Sequence, residues 1–268
     1  EYYSNLKEQG ADDPTGKTVD WLKIQPNVVD VEMGNNGYFI NIKFDNGVTS
    51  TIVLQQLTAD YSIPELNQRD LLLKKDDLSI YESKSVENKK ALFILPFDDS
   101  GFDPSGENIK IKEYLEQIGF TIEFKRNIDV TPDSLKQITW SDYKVIYMLT
   151  HGAYVFGDVI ICTREKLSEG MLANAIAAGT SKKINLFAVK DGPTYMAVSQ
   201  EFFKDYTYNN ALVFMNGCNT LQNNKLSDVF INNGAGVYLG WNNHVYPRIH
   251  TLVFRELIKE NNIFINSY

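Results

Sequence analysis

The sequence predicts an α/β protein, with a mostly parallel sheet flanked by helices on both faces, behind a small β-rich N-terminal domain. Three observations carry this reading. From Lys90 onward, short apolar runs alternate with amphipathic stretches, the strand–helix rhythm of parallel sheets. Residues 27–54 instead alternate with period two around Asn36-Gly37 and Asn46-Gly47, dipeptides that tolerate positive φ and mark hairpins. Between these regions, 55–89 is charged and polar. It reads as a connector with short elements, and a domain boundary is expected near Glu87, dividing 1–86 from 87–268.

The N-terminal strands are "NVVDVEM", "YFINIKF" and "VTSTIVL". Alternation in the second puts Tyr38, Ile40, Ile42 and Phe44 on one face. In the second region, "ALFILPF" (91–97) reads as a buried strand. "NIKIKEYLEQIG" (108–119) has helical spacing, with Ile109, Ile111, Tyr114, Leu115 and Ile118 on one side and Gly119 as its stop. "FTIEFK" (120–125) is a strand, and "TPDSLKQI" (131–138) opens a helix with Thr131 as N-cap and Pro132 at the first helical position. "YKVIYMLT" (143–150) is a strand and "EKLSEGMLANAIAAG" (165–179) a helix. The reading continues with strand 184–190, helix 194–206, strand 211–216, helix 226–234, strand 235–241 and helix 248–261.

Composition narrows the function classes. Among 268 residues, 43% are hydrophobic and 22% charged, the balance of an ordinary globular protein. Net charge is −8 with no basic stripe, which argues against nucleic acid or an anionic membrane surface as partner. No apolar run approaches the about 18 residues of a membrane span. The two cysteines lie in no CxxC or Cys/His metal pattern. One Cys162–Cys218 bridge is conceivable, but cysteines that fall on strands are more often free and buried. No metal constellation and no phosphate-cradling loop stand out, so no cofactor is expected. The opening "EYYSNLKEQG" lacks Met. With abundant Asn and Tyr, it suggests a mature chain of a secreted, periplasmic or cell-surface protein.

In parallel sheets, reactive residues collect at the carboxyl ends of strands. There the sequence places His151-Gly152, Asn216-Gly217-Cys218, Trp241-Asn242-Asn243-His244 and Asp98-Asp99. A thiolate attacks carbonyls and an imidazole moves the proton. Glycine beside them lets backbone N–H groups approach a reacting oxygen. His244 is a rival to His151, whereas His250 falls in the last helix and Cys162 reads as a packing thiol.

Residues 90–261 resemble the caspase-like (clan CD) cysteine peptidases, the group that includes caspases, legumain, gingipains, clostripain, separase and the CHAT domains. "LTHGAY" looks like their His-Gly motif, and "FMNGCNTL" is similar to the Ser-Ala-Cys-Asn-Thr-Gly pattern of CHAT domains. "LSDVFINNGAGVYLGWNNHV" looks like the helix, Ala-Gly turn and strand that follow. Two positions depart from the pattern. The glycine usual after Cys-Asn-Thr is Leu221, and the Asp found two before the cysteine in clostripain-like relatives is Asn216. The resemblance implies a cysteine endopeptidase acting on a protein or peptide, with Cys218 as nucleophile and His151 as acid–base. Backbone N–H groups of Gly152 and Cys218 would hold the oxyanion. Asp98, Asp99, Asn216, Trp241 and Asn242 would contact substrate, with cleavage after a basic residue as one expectation. The alternative is a catalytically silent caspase-like interaction module.

Overall fold

The computed structural model describes residues 2–34, 37, 39–54, 89–100, 106–168, 170, 184–189 and 192–245. Two helices open the chain, α1 (Tyr2–Glu8) and α2 (Pro14–Lys23). Neither is among the expectations above, although the signals for α2 are local. Asp13 caps it by accepting from the Gly16 N–H at 2.9 Å, and Pro14 stands in its first turn.

The predicted meander follows as β1 (Val28–Gly34), β2 (Phe39–Phe44) and β3 (Thr49–Val53), paired antiparallel in sequence order. The chain continues with β4 (Lys90–Leu95), α3 (Glu107–Gln117), β5 (Thr121–Arg126), α4 (Pro132–Lys136) and β6 (Val145–Leu149). Next come β7 (Gly152–Val155), β8 (Asp158–Lys166), β9 (Ile184–Val189), β10 (Thr194–Ser199) and the short α5 (Gln200–Phe203). The last described elements are β11 (Leu212–Asn216), α6 (Lys225–Asn232) and β12 (Val237–Leu239). The expected helix 248–261 lies outside the described residues, as do 169 and 171–179 of the expected helix 165–179 and the boundary at Glu87. Glu165 and Lys166, expected to open that helix, instead end β8.

Two sheets share the core. The first has order β12-β11-β6-β4-β5, and every pairing in it is parallel. Along β4, Ala91, Phe93 and Leu95 face α3, where Ile111 and Leu115 are fully buried. Leu92 and Ile94 face the other way, toward α4, α5, α6 and the second sheet. The second sheet is mixed, with order β1-β2-β3-β9-β10-β8-β7. The parallel sheet is thus flanked by helices, but the second sheet covers much of one face.

Three details correct the sequence reading. Residues 194–199 form β10 rather than the start of a helix running to 206, and helical turns occupy only 200–203. Tyr195 and Ala197 face one core cluster while Met196 and Val198 face another. A segment buried on both faces shows no polar stripe to separate helix from strand. Strand β9 joins the mixed sheet, not the parallel one, through parallel pairing with β3 and antiparallel pairing with β10. The N-terminal meander is therefore continuous with the rest of the chain at sheet level. Finally, a β7–β8 hairpin follows the histidine directly, turning at Phe156 (φ 47°) and Gly157 (φ 86°). Positive φ at both turn positions matches the strand twist of a two-residue hairpin.

Candidate active site

Strands β6 and β11 are neighbours in the parallel sheet, with Leu149 opposite Asn216. The Thr150 N–H donates to the Asn216 carbonyl at 3.1 Å, so the chains leave the sheet side by side. The His-Gly and Gly-Cys segments then meet at the backbone. A Cβ on Gly152 would collide with the Cys218 carbonyl oxygen. One on Gly217 would stand 2.8 Å from the Thr150 oxygen and 3.2 Å from the Gly152 nitrogen. Glycine is needed at both positions because two backbones approach closely there.

The β7–β8 ladder orients the Gly152 amide. Cys162 donates its N–H to the His151 carbonyl at 2.9 Å. Bonding alternates along an antiparallel pair, so the next residue, Gly152, turns its N–H away from β8. Gly217 lies on that side.

Thr220 braces the loop that carries the thiol. Its hydroxyl lies 2.8 Å from the Met215 carbonyl and 3.0 Å from that of Gly217, and it accepts from the Trp241 N–H at 3.0 Å. Its own carbonyl accepts from the Tyr238 hydroxyl at 2.8 Å. Asn219 takes φ 59°, a left-handed conformation in which asparagine is tolerated better than most side chains. Asn216 is buried, its amide donating to the Tyr147 hydroxyl at 3.1 Å while its oxygen accepts from the Trp241 indole at 3.0 Å. Its side chain therefore fixes Trp241. Trp241 is half-buried beside Phe214, and Asn242 is exposed.

Two aromatic rings confine His151. Phe187 stacks on it at 5.5 Å, and Phe97 meets it edge-on at 4.9 Å. The residue as a whole is half-buried. Even so, burial, with the nearby Arg164 guanidinium as a lesser cause, lowers its pKa to about 4. Burial also raises the Cys218 thiol above its ordinary range, opposed by a backbone hydrogen bond from Val245. At neutral pH the pair is a thiol and a neutral imidazole, not an ion pair.

Cys218 is half-buried, and neither cysteine is bridged. Cys162 lies in β8 as a fully buried packing thiol, pushed well up by burial. His244 sits elsewhere on the rim, stacked on Phe39 of β2 at 4.7 Å.

The acids expected to receive a substrate cation meet the chain's own arginines. Asp99 contacts Arg164 at 3.1 Å, and Asp98 contacts Arg126 at 3.4 Å. Arg164 also donates to the Tyr195 hydroxyl at 3.2 Å and lies over the Phe97 ring at 5.0 Å. Arg164, Phe97, Phe187 and Thr220 were not among the sequence candidates. Only Thr220 carried a signal, as the polar residue closing "GCNT". Among the described residues, no group of three His, Cys, Asp or Glu side chains could hold a metal ion, and no helix is long and apolar enough to cross a membrane.

Compared with protein-family models, curated proteins and solved structures, the chain matches none.

Proposed function

We propose that this chain is a cysteine endopeptidase of the caspase-like kind, hydrolysing peptide bonds through Cys218 and His151. One observation carries the reading. The Gly152 backbone packs directly against Cys218 at the carboxyl ends of adjacent parallel strands, so the thiol loop and the imidazole-bearing segment share one rim. In the proposed reaction, the Cys218 sulfur bonds to the scissile carbonyl carbon. The carbonyl oxygen becomes an oxyanion held by the Gly152 and Cys218 N–H groups. His151 takes the thiol proton and passes it to the leaving amine, after which water hydrolyses the thioester. At pH 7 the imidazole is neutral and able to accept a proton, but a pKa of about 4 makes it a weaker base than a group poised near the operating pH.

Cleavage after a basic residue requires the substrate cation to replace Arg164 at Asp99 or Arg126 at Asp98. Asp99→Asn should weaken any preference for Arg or Lys in a peptide-library profile.

The second reading is a caspase-like interaction module without catalysis. It is favoured by the raised thiol pKa, since the thiolate is the nucleophile. The two readings part in one experiment. An acyl-type electrophilic thiol probe should label Cys218 in the wild type, lose all labelling in Cys218→Ala and most in His151→Ala. Peptide cleavage should vanish with the label. Labelling of Cys162 alone would sink the catalytic reading.

A further inference from the structure

The segment Trp241–Val245 leaves β12 and runs back antiparallel over the thiol loop. Leu221 donates its N–H to the Trp241 carbonyl at 2.7 Å, and Asn219 donates to the Asn243 carbonyl at 3.1 Å. The next contact in the series falls on the sulfur. The Val245 N–H lies 3.5 Å from Cys218 Sγ, and Sγ lies 3.7 Å from the Val245 carbonyl oxygen. The backbone of one residue, Val245, thus engages the thiol both as donor, through its N–H, and as acceptor, through its carbonyl. The segment is anchored at its start by the Trp241 indole on Asn216 and by its amide on Thr220. Between these ends, His244 stacks on Phe39 of β2 with an interplanar angle of 26°.

We propose that residues 241–245 form a latch over Cys218, and that the His244–Phe39 stack ties this latch to the N-terminal meander. The proposal concerns regulation of the site described above and rests on Cys218 being its nucleophile. Three features support it. A carbonyl carbon must approach the sulfur to form a bond, and the Val245 peptide already lies against that sulfur. The hydrogen bonds holding the middle of the latch are backbone to backbone, so they can break and re-form without rearranging the core. On the side of the meander the latch is tied by the His244–Phe39 aromatic stack, and such a pair contributes modestly. The meander thereby gains a physical link to the chemistry through Phe39, His244 and Val245. Anything that moves β2 or competes for its Phe39 face would change access to the thiol.

The test reads thiol access rather than peptide hydrolysis. In the full chain, iodoacetamide alkylation of Cys218 and Cys162 is followed by mass spectrometry. Cys162, fully buried in β8, reports global opening. His244→Ala should speed Cys218 alkylation about tenfold, the scale of one lost stack acting on a local opening equilibrium. Cys162 should stay unreactive. His244→Phe should restore the slow rate by keeping the stack. Phe39→Leu, which keeps apolar bulk but removes the aromatic partner, should match His244→Ala. The proposal is overturned if His244→Ala reacts at the wild-type rate, or if Cys162 accelerates in step with Cys218. It is also overturned if His244→Phe is as fast as His244→Ala. If Cys218 unlatches as expected but neither wild type nor variants cleave peptides, the peptidase reading falls and the latch stands. If peptides are cleaved while all alkylation rates agree, the latch alone falls.

Discussion

Burial of His151 has a consequence for stability that can be measured. An unfolded imidazole titrates near 6.5, whereas the folded one, confined by Phe97 and Phe187, titrates at about 4. As pH falls, the unfolded chain therefore takes up this proton first. The stability contributed by the neutral buried ring is complete above about pH 6.5 and is lost from there down through about pH 4. The loss is at most about 1.4 kcal/mol per pH unit. Urea midpoints measured between pH 7 and 4.5 should fall less steeply in His151→Phe than in the wild type. Equal slopes would show that the ring is solvated. Gly152 offers a second test at this scale. Gly152→Ala forces a methyl into the Cys218 carbonyl, so it should cost about 1–3 kcal/mol of stability. It should also abolish probe labelling of Cys218. A variant that is labelled at the wild-type rate would show that the two backbones need not touch.

At the scale of elements, the site is held by loops that strands β6, β11 and β12 deliver together. Thr220 joins all three exits, since it bonds Met215 near the end of β11 and Gly217 after it, meets Trp241 after β12, and its methyl approaches Gly152 after β6. Thr220→Val keeps the shape and deletes the hydroxyl, leaving two carbonyls and one N–H without that partner. Such losses cost about 1–3 kcal/mol per buried group. Chemical denaturation should register the loss, and Thr220→Ser should recover most of it. An unchanged midpoint in Thr220→Val would mean that the bonds are replaced by solvent. The placement of His151 and Cys218 was legible in "HG" and "NGCNT" because both lie at the ends of uninterrupted apolar strands. The arginines at Asp98 and Asp99 were not legible. Arg126 and Arg164 come from β5 and β8, and no sequence spacing links them to the loop after β4.

At the scale of the whole molecule, the mixed sheet binds the first third of the chain to the last. Asn41 of β2 is buried, donates to Glu32 at 2.9 Å and to the Tyr154 carbonyl of β7 at 3.0 Å, and accepts from Thr51 at 2.8 Å. Glu32 in turn accepts from the Phe156 N–H at 3.0 Å. The meander thus holds the hairpin that follows His151. Asn41→Leu should lower stability by about 1–3 kcal/mol. Amide exchange should also quicken in β7 as well as in β2 and β3. Faster exchange confined to β2 and β3 would show that the meander opens independently.

Local pattern by itself determined the meander, the five parallel strands and the rim on which Cys218 and His151 lie. Strand alternation, apolar runs and glycine turns act over a few residues and need no distant partner. Only the tertiary structure decided that 194–199 is a strand, that β9 joins β3, and that the acids near the rim are already paired. It also decided that Val245 lies on the sulfur. Each of these depends on which surfaces meet across tens to more than a hundred residues of chain. A segment buried on both faces carries no polar stripe to declare its partner, and a salt bridge between a loop and a distant strand leaves no periodic trace.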